Sequence, residues 1–168
     1  MKNIIIIVVI AVAVTGVGFL LSKYGNTSPQ DIPQQGETIG QQPAAHIEVG
    51  AAHEPYNSNP PTSGPHYVKP AEWGVYQQPL QDEQVVHNLE HGGIWISYKD
   101  IDEQTKDELE TIGRQYSGAT VVSPRPSDDA KISLASWGRL EKLDSFDRDK
   151  VINFIKANKN KSPEPLAR

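Results

Sequence analysis

The sequence predicts an α+β domain with a small mixed sheet and two amphipathic helices, after an N-terminal transmembrane helix. Three observations support this architecture. Apolar patterns in the second half of the chain give the order strand, helix, strand, strand, helix. An uncharged apolar run near the amino terminus is followed by a polar segment rich in proline and glutamine. The rest of the 168-residue chain has room for one domain of about 115 to 125 residues.

The apolar leader covers residues 4–21, which contain no charged side chain. A helix of this length spans about 27 Å, enough to cross the hydrocarbon core of a bilayer. Lys2 precedes the run, and positive charge tends to stay in the cytoplasm. We therefore expect a single-pass anchor in the cell membrane, with the C-terminal domain outside the cytoplasm. The alternative is a cleaved signal peptide, with residues 11–13 as a small-x-small site.

These observations predict four segments. Residues 1–21 form a transmembrane signal anchor, and residues 22–45 form a flexible linker with too few apolar side chains to offset its ordering entropy. Residues 46–160 form the extracytoplasmic α+β domain. Residues 161–168 are expected to be a disordered tail.

Composition excludes several classes of function. The formal net charge is −5, so no basic surface is available to neutralise phosphates, and a nucleic-acid partner is not expected. The chain contains no cysteine, which excludes disulfides, thiolate metal ligands and thiol catalysis. Nothing in the composition identifies a protein partner.

A proline-rich loop, residues 57–67, precedes the centre of the chain and ends near His66. Prolines fix backbone angles, so the loop is expected to be stiff and irregular, and a stiff loop is a suitable support for a functional side chain. The earlier histidines, His46 and His53, are expected to be surface residues. Residues 73–80 are expected to be a short strand or packed loop whose aromatic side chains complete the core.

The central stretch places His87, Glu90 and His91 within five residues, just before two glycines and the β-rich run 94–98. The pattern matches H-x-x-E-H, in which two histidines bind zinc and the glutamate activates water. That chemistry requires a helix, because positions four apart then share one face. The glycines and the strand that follow exclude a long helix, so a peptidase is the less favoured interpretation.

Two imidazoles four residues apart can share an ion only if the segment is bent. In an extended strand they would be separated by about 13 Å, whereas one helical turn brings their Cα atoms to roughly 6 Å. With His66 as third ligand and Glu90 as a ligand or its partner, the donor set of His66, His87, His91 and Glu90 suits zinc or copper(II). An extended segment would instead indicate structural histidines.

The second half of the domain supplies the remaining elements. Residues 101–116 have helical apolar spacing, with Asp100 as the expected cap, and residues 119–123 and 131–137 have strand character. Gly138 and Arg139 are expected to end the second strand. Asp144 or Ser145 is expected to cap a last helix, whose apolar stripe lies in residues 151–155.

Three boxes resemble a bacterial family of unknown function, the one numbered 3105: residues 60–66, residues 86–92 and residues 135–139. The resemblance covers about residues 50 to 158. It implies an amino-terminal apolar segment and an extracytoplasmic domain, and it implies no established reaction.

Three functional hypotheses follow. The first is a membrane-anchored domain that binds a transition metal through the histidine cluster. The second is an interaction module of the cell envelope, with structural histidines and no metal. The third is a metal-dependent hydrolase with Glu90 as base, and whether the chain is an enzyme stays open.

Overall fold

The structure is a computed structural model, and it describes residues 32–167. The expected transmembrane anchor lies outside the described residues, as does the first part of the expected linker. Among the residues that are described, no helix is long and apolar enough to cross a bilayer. Pro33–Arg168 form one compact unit.

The described chain contains three helices and a six-stranded mixed sheet, so the predicted α+β class is found with one more helix than expected. The helices are α1 (Asp82–Glu90), α2 (Glu103–Gln115) and α3 (Arg148–Asn158). The strands are β1 (Glu37–Thr38), β2 (Ala45–Ile47), β3 (Pro65–Tyr67), β4 (Gly74–Val75), β5 (Ile94–Tyr98), β6 (Thr120–Pro124), β7 (Ile132–Ser136) and β8 (Arg139–Leu143).

The sheet has the order β1-β8-β7-β5-β6-β4. Strands β4, β6 and β5 run parallel to one another, whereas β7, β8 and β1 each pair antiparallel with a neighbour. Strands β2 and β3 form a separate parallel pair. The crossover between the parallel strands β5 and β6 contains helix α2, as expected for a parallel connection.

Strand β5 lies at the centre of the sheet, and all five of its residues are buried. Ile94 and Ile96 pack in a core with residues of α2 and α3, whereas Trp95 packs in a second core with residues of α1. Successive side chains of a strand point to opposite faces. Helix α1 therefore covers one face of the sheet, and the other two helices cover the opposite face.

Both predicted helix caps were wrong by a few residues. Helix α2 is capped by Asp102, whose carboxylate accepts a hydrogen bond from Thr105 N at 2.8 Å. The expected cap, Asp100, has a φ of 48°, which is incompatible with the extended backbone of an N-cap. Helix α3 is capped by Asp147 instead of Asp144 or Ser145. Strand β8 begins at Arg139, where the preceding strand was expected only to end.

Parts of the expected linker and of the expected tail form hydrogen bonds with other elements of the described chain. Glu37–Thr38 pair with β8, and Gln35 N donates to Asn158 Oδ1 at 3.2 Å, so the second half of the expected linker is part of the domain. At the other end, Glu164 donates a backbone hydrogen bond to Glu90 O, and Leu166 and Ala167 donate to His91 O. Both segments are held by hydrogen bonds of the backbone and of polar side chains. The sequence prediction considered only how many apolar side chains each segment could bury, so it did not reveal these bonds.

Candidate metal centre

Helix α1 carries the H-x-x-E-H sequence on its last turn. Val85, Val86 and Leu89 are buried against the sheet, which fixes the rotation of the helix and turns His87 inward. The helix ends at Glu90, and His91 N donates to His87 O at 3.1 Å. The segment is thus bent, as the metal hypothesis requires, and His87 Nε2 lies 3.1 Å from His91 Nε2.

The two glycines after the motif allow two close approaches. Gly92 has a φ of 83°, and a Cβ there would lie 2.6 Å from Asn160 Oδ1. A Cβ on Gly93 would overlap the ring of Trp73. The first glycine therefore lets the chain turn beneath the C-terminal segment, and the second lets a tryptophan cover the start of β5.

The parallel pair β2–β3 brings two further histidines to the same place. His46 and His66 are direct partners in the register, and their ring centroids lie 4.9 Å apart. Strand β3 adjoins α1, because Tyr67 O accepts a hydrogen bond from His87 Nδ1 at 2.7 Å. The centroids of His66 and His87 are consequently 4.8 Å apart.

Four side chains converge in this way: His46, His66, His87 and Glu90. One potential ligand atom from each lies within 4.8 Å of those from the others. His46 is exposed, whereas His66, His87 and Glu90 are only 1%, 4% and 6% exposed. The group is therefore a nearly buried pocket of imidazoles with one carboxylate and an opening at His46.

The nitrogen His66 Nε2 is buried and has no hydrogen-bond partner. It lies 3.0 Å from Glu90 Oε2, close enough for an ion pair with a protonated imidazole, but the angles do not satisfy a hydrogen bond. This contact does not count as a hydrogen bond, because a short separation without alignment is a weak interaction. Most buried polar atoms in folded proteins have a partner, so this nitrogen indicates a missing one.

Hydrogen bonds fix the tautomers of two rings. His66 Nδ1 lies 2.9 Å from Gly64 O, and His87 Nδ1 lies 2.7 Å from Tyr67 O. A carbonyl oxygen only accepts, so each Nδ1 carries the hydrogen and donates it. In the neutral rings Nε2 then carries the lone pair, which at His87 lies 3.1 Å from His91 Nε2. A backbone carbonyl on the other nitrogen is a common arrangement for metal-binding histidines.

The surroundings of His87 favour its neutral form. Burial lowers the pKa of His87 below its ordinary value of 6.5, and the neighbouring imidazoles of His66, His91 and His46 lower it further. The carbonyl of Tyr67 acts in the opposite direction without reversing the shift. Only a neutral imidazole can donate a lone pair to a metal.

One separation within the group fits the radius of a transition-metal site. Ligands held about 2.0–2.1 Å from one ion lie roughly 2.8–3.4 Å apart at octahedral or tetrahedral angles. His66 Nε2 and Glu90 Oε2 are separated by 3.0 Å, which lies within this range. The donor chemistry and this distance together fit a bound cation.

The sequence-predicted set is thus brought together, with His91 at its edge. His91 Nε2 contacts His87 and lies 3.6 Å from Glu164 Oε2, and it forms a second group with Glu90 and Glu164. Sequence reasoning missed His46, which it placed on the surface, and Glu164, which it placed in a disordered tail. The short alternation at residues 45–47 was a signal for a strand, but not for its partner.

His53 lies apart from the cluster. Its Nε2 is 3.1 Å from Glu83 Oε1, and its Nδ1 is 2.7 Å from Glu54 O. The hydrogen bond to Glu83 raises the pKa of His53 above 6.5, although burial opposes it and the Glu54 carbonyl assists it. Both ring nitrogens have partners, so His53 is the histidine with an ordinary structural role.

An arginine network holds the other end of α1. Arg125 donates from Nε and Nη2 to the two carboxylate oxygens of Asp82, at 2.8 and 2.6 Å. It also donates from Nη1 to Asp128 Oδ1 at 2.6 Å and to Asn59 Oδ1. Because Asp82 is the first residue of α1, this network fixes the position of the helix that carries the cluster.

The fold and the site define a small α+β domain with a candidate metal centre of three histidines and a glutamate. The family model described as "Protein of unknown function (DUF3105)" matches residues 49–168, and the chain belongs to this family. No curated protein matches the chain. No solved structure matches it either.

Proposed function

We propose that the domain binds a transition metal ion through the imidazoles of His46, His66 and His87 and the carboxylate of Glu90. The observation that supports the proposal most strongly is the buried His66 Nε2, which has no hydrogen-bond partner although it lies 3.0 Å from Glu90 Oε2 in a group with two further imidazoles. A cation would accept its lone pair and remove the cost of leaving it unsatisfied, roughly 1–3 kcal/mol.

The donor set favours zinc or copper(II). Imidazole and carboxylate suit both ions, whereas copper(I) prefers the thiolates and thioethers that the cluster lacks. When bound, such an ion acts as a Lewis acid, and any coordination position left open takes water or a small ligand. The exposed side at His46 is where such a ligand would enter.

Metal analysis of the full chain, purified in detergent, tests the proposal. We expect one or more equivalents of zinc or copper after dialysis, and their loss in His66→Ala and His87→Ala. His53→Ala is the matched control, since His53 lies outside the cluster, and it should retain the wild-type content. Absence of bound metal from the wild-type chain after addition of zinc or copper(II) would refute the proposal.

Absence of metal would favour an interaction module of the cell envelope. One observation supports that alternative: the exposed large apolar residues of the described chain are Val49, Val68 and Leu166. Each closely follows a member of the two groups, His46, His66 or Glu164. A partner covering this surface would then use histidines as a structural support.

A hydrolase is supported by the position of H-x-x-E-H on a helix, which places His87 and His91 on one face. Its test is peptide hydrolysis by the metal-loaded chain. Glu90→Gln should abolish hydrolysis, because an amide cannot take a proton from the attacking water.

We also propose that residues 4–21 anchor the protein in the membrane, with the domain outside the cytoplasm. The uncharged run and the preceding Lys2 support this orientation. Protease added to intact cells should digest the domain, and the protein should resist extraction from membranes at alkaline pH. Protection of the domain in intact cells that expose a known external marker contradicts this orientation.

A further inference from the structure

The C-terminal segment, residues 160–167, returns to the end of helix α1. Glu164 N donates to Glu90 O at 3.2 Å, and Leu166 N and Ala167 N both donate to His91 O, at 2.9 and 3.0 Å. These carbonyls belong to the final residues of a helix and its cap, where no intrahelical donor is available. The segment therefore binds to the two residues that also supply potential ligands.

Asn160 holds the segment in place. Its Nδ2 donates to Ala167 O at 2.8 Å, its Oδ1 accepts from Ala167 N at 3.0 Å, and its backbone N donates to Gly92 O at 2.9 Å. Its φ of 59° lies in the left-handed region, which asparagine tolerates better than most residues. The side chain of Asn160 thus closes the segment into a loop, and backbone hydrogen bonds join the loop to the end of α1.

The loop presents Glu164 to His91. The two side chains lie 3.6 Å apart at their nearest atoms, and together with Glu90 they form a second group whose potential ligand atoms are within 4.8 Å of one another. This group shares Glu90 with the first. A carboxylate has two oxygens and is able to bind one ion with each.

We propose that the site holds two divalent ions, the second bound by His91 and Glu164, with Glu90 bridging both. The inference rests on the proposed function, because the bridge needs an ion in the first group. Ions that share a carboxylate in this manner are typically about 3.5–4 Å apart. The separation of 3.1 Å between His87 Nε2 and His91 Nε2 allows one ring to face each ion.

The two groups that Glu90 would bridge differ in their ligands. The first group has three imidazoles and one carboxylate, and the second has two carboxylates and one imidazole. Glu164 is 62% exposed, so the second ion lies at the surface and keeps positions for water. We therefore expect the second ion to bind more weakly and to exchange faster than the first.

Titration of the full chain with zinc and with cobalt(II) tests this inference. Wild-type protein should bind two equivalents, the second more weakly, and cobalt-loaded protein should show magnetic coupling between the ions by electron paramagnetic resonance. Glu164→Gln should bind one equivalent and lose the coupling. Glu37→Gln, an exposed carboxylate on β1, is the matched control and should retain two.

A second variant separates the loop from the ligand. Asn160→Gly keeps a backbone that tolerates positive φ but removes the amide that closes the loop, and it should also reduce binding to one equivalent. One equivalent in the wild type, or two in Glu164→Gln, overturns the second ion while leaving the first. Zero equivalents in the wild type overturns the proposed function as well.

Discussion

Helix α1 has a buried polar cluster at each end, and the two clusters differ in one respect. At its start, the guanidinium of Arg125 is matched by the carboxylates of Asp82 and Asp128, and Asp128 also accepts from Ser97 Oγ at 2.6 Å. At its end, His66 Nε2 has no hydrogen-bond partner, although it lies 3.0 Å from Glu90 Oε2 and belongs to the group that contains His87.

The difference separates a structural network from a binding site. Burial of charge is tolerated at Arg125 because opposite charges and hydrogen bonds compensate for lost hydration. At the histidines no donor of the described chain forms a hydrogen bond with His66 Nε2, and under the proposed function a bound cation provides the compensation. The first cluster should therefore support stability with or without metal at neutral pH, and the second only when a cation is present.

The largest expected effect is at the arginine network. Arg125→Ala leaves two carboxylates without their cation and should reduce the free energy of unfolding by about 3–5 kcal/mol. Thermal unfolding followed by circular dichroism measures it. Lys142→Ala removes the exposed pair with Asp129 and should cost about 1 kcal/mol or less. Equal losses in the two variants would mean that the buried network adds nothing.

The histidine cluster should behave in the opposite way. Zinc at one hundred times its dissociation constant should stabilise the wild-type chain by about 2.7 kcal/mol. His66→Leu should lose this gain while changing the metal-free stability by only about 1 kcal/mol, the worth of its bond to Gly64 O. Calorimetry of both proteins with and without zinc measures the difference. A large loss of stability in His66→Leu without metal would mean that His66 is a structural residue.

Two glycines with nearly the same backbone angle test the contact beneath the C-terminal loop. Gly92 has a φ of 83° and Gly50 a φ of 81°, but only at Gly92 would a Cβ meet Asn160. Both substitutions by alanine bear the left-handed strain, about 1–2 kcal/mol. Gly92→Ala should cost roughly 2 kcal/mol more by chemical denaturation, because Asn160 must move. Equal costs would place the loop elsewhere in solution.

The smallest expected effect distinguishes the structural histidine from the cluster. The hydrogen bond from His53 to Glu83 raises the pKa of His53 above 6.5, and nuclear magnetic resonance titration should show it falling in Glu83→Gln. A raised folded-state pKa gives stability that is complete below pH 6.5 and lost as the pH rises through the folded-state value. The pKa of His87 is lowered instead, so its contribution to stability should be complete above pH 6.5 and should be lost as the pH falls below that value.

Much of the fold could be predicted because its signals are local. Alternating apolar residues predicted β7, the continuous apolar run predicted β5, and helical spacing predicted α2 and α3 within a few residues. Strand β8 was missed because the charged residues Glu141 and Lys142 interrupt its apolar alternation and because it directly follows a tight turn at Gly138. Helix α1 was not predicted, because it has only nine residues and the glycines that follow it, Gly92 and Gly93, argued against a long helix.

The candidate site was predicted in part, for a different reason. The spacing of His87, Glu90 and His91 and the stiff loop at His66 made these residues predictable. His46 instead depends on the parallel pairing of β2 with β3, which are separated by the 17 residues 48–64. Glu164 depends on backbone hydrogen bonds to a helix end. Neither the strand pairing nor these hydrogen bonds can be read from sequence periodicity, because each joins segments that are far apart in the chain.

The placement of His46 on β2 has a consequence for hydrogen exchange. Strand β2 has three residues, its side chains are largely exposed, and it pairs with β3 alone among the described strands. Short exposed segments open with little cost in free energy, so the amides of residues 45–47 should exchange early. An ion that joins His46 to His66 would have to dissociate before β2 separates, and the rate of deuterium uptake there would then report directly on occupancy.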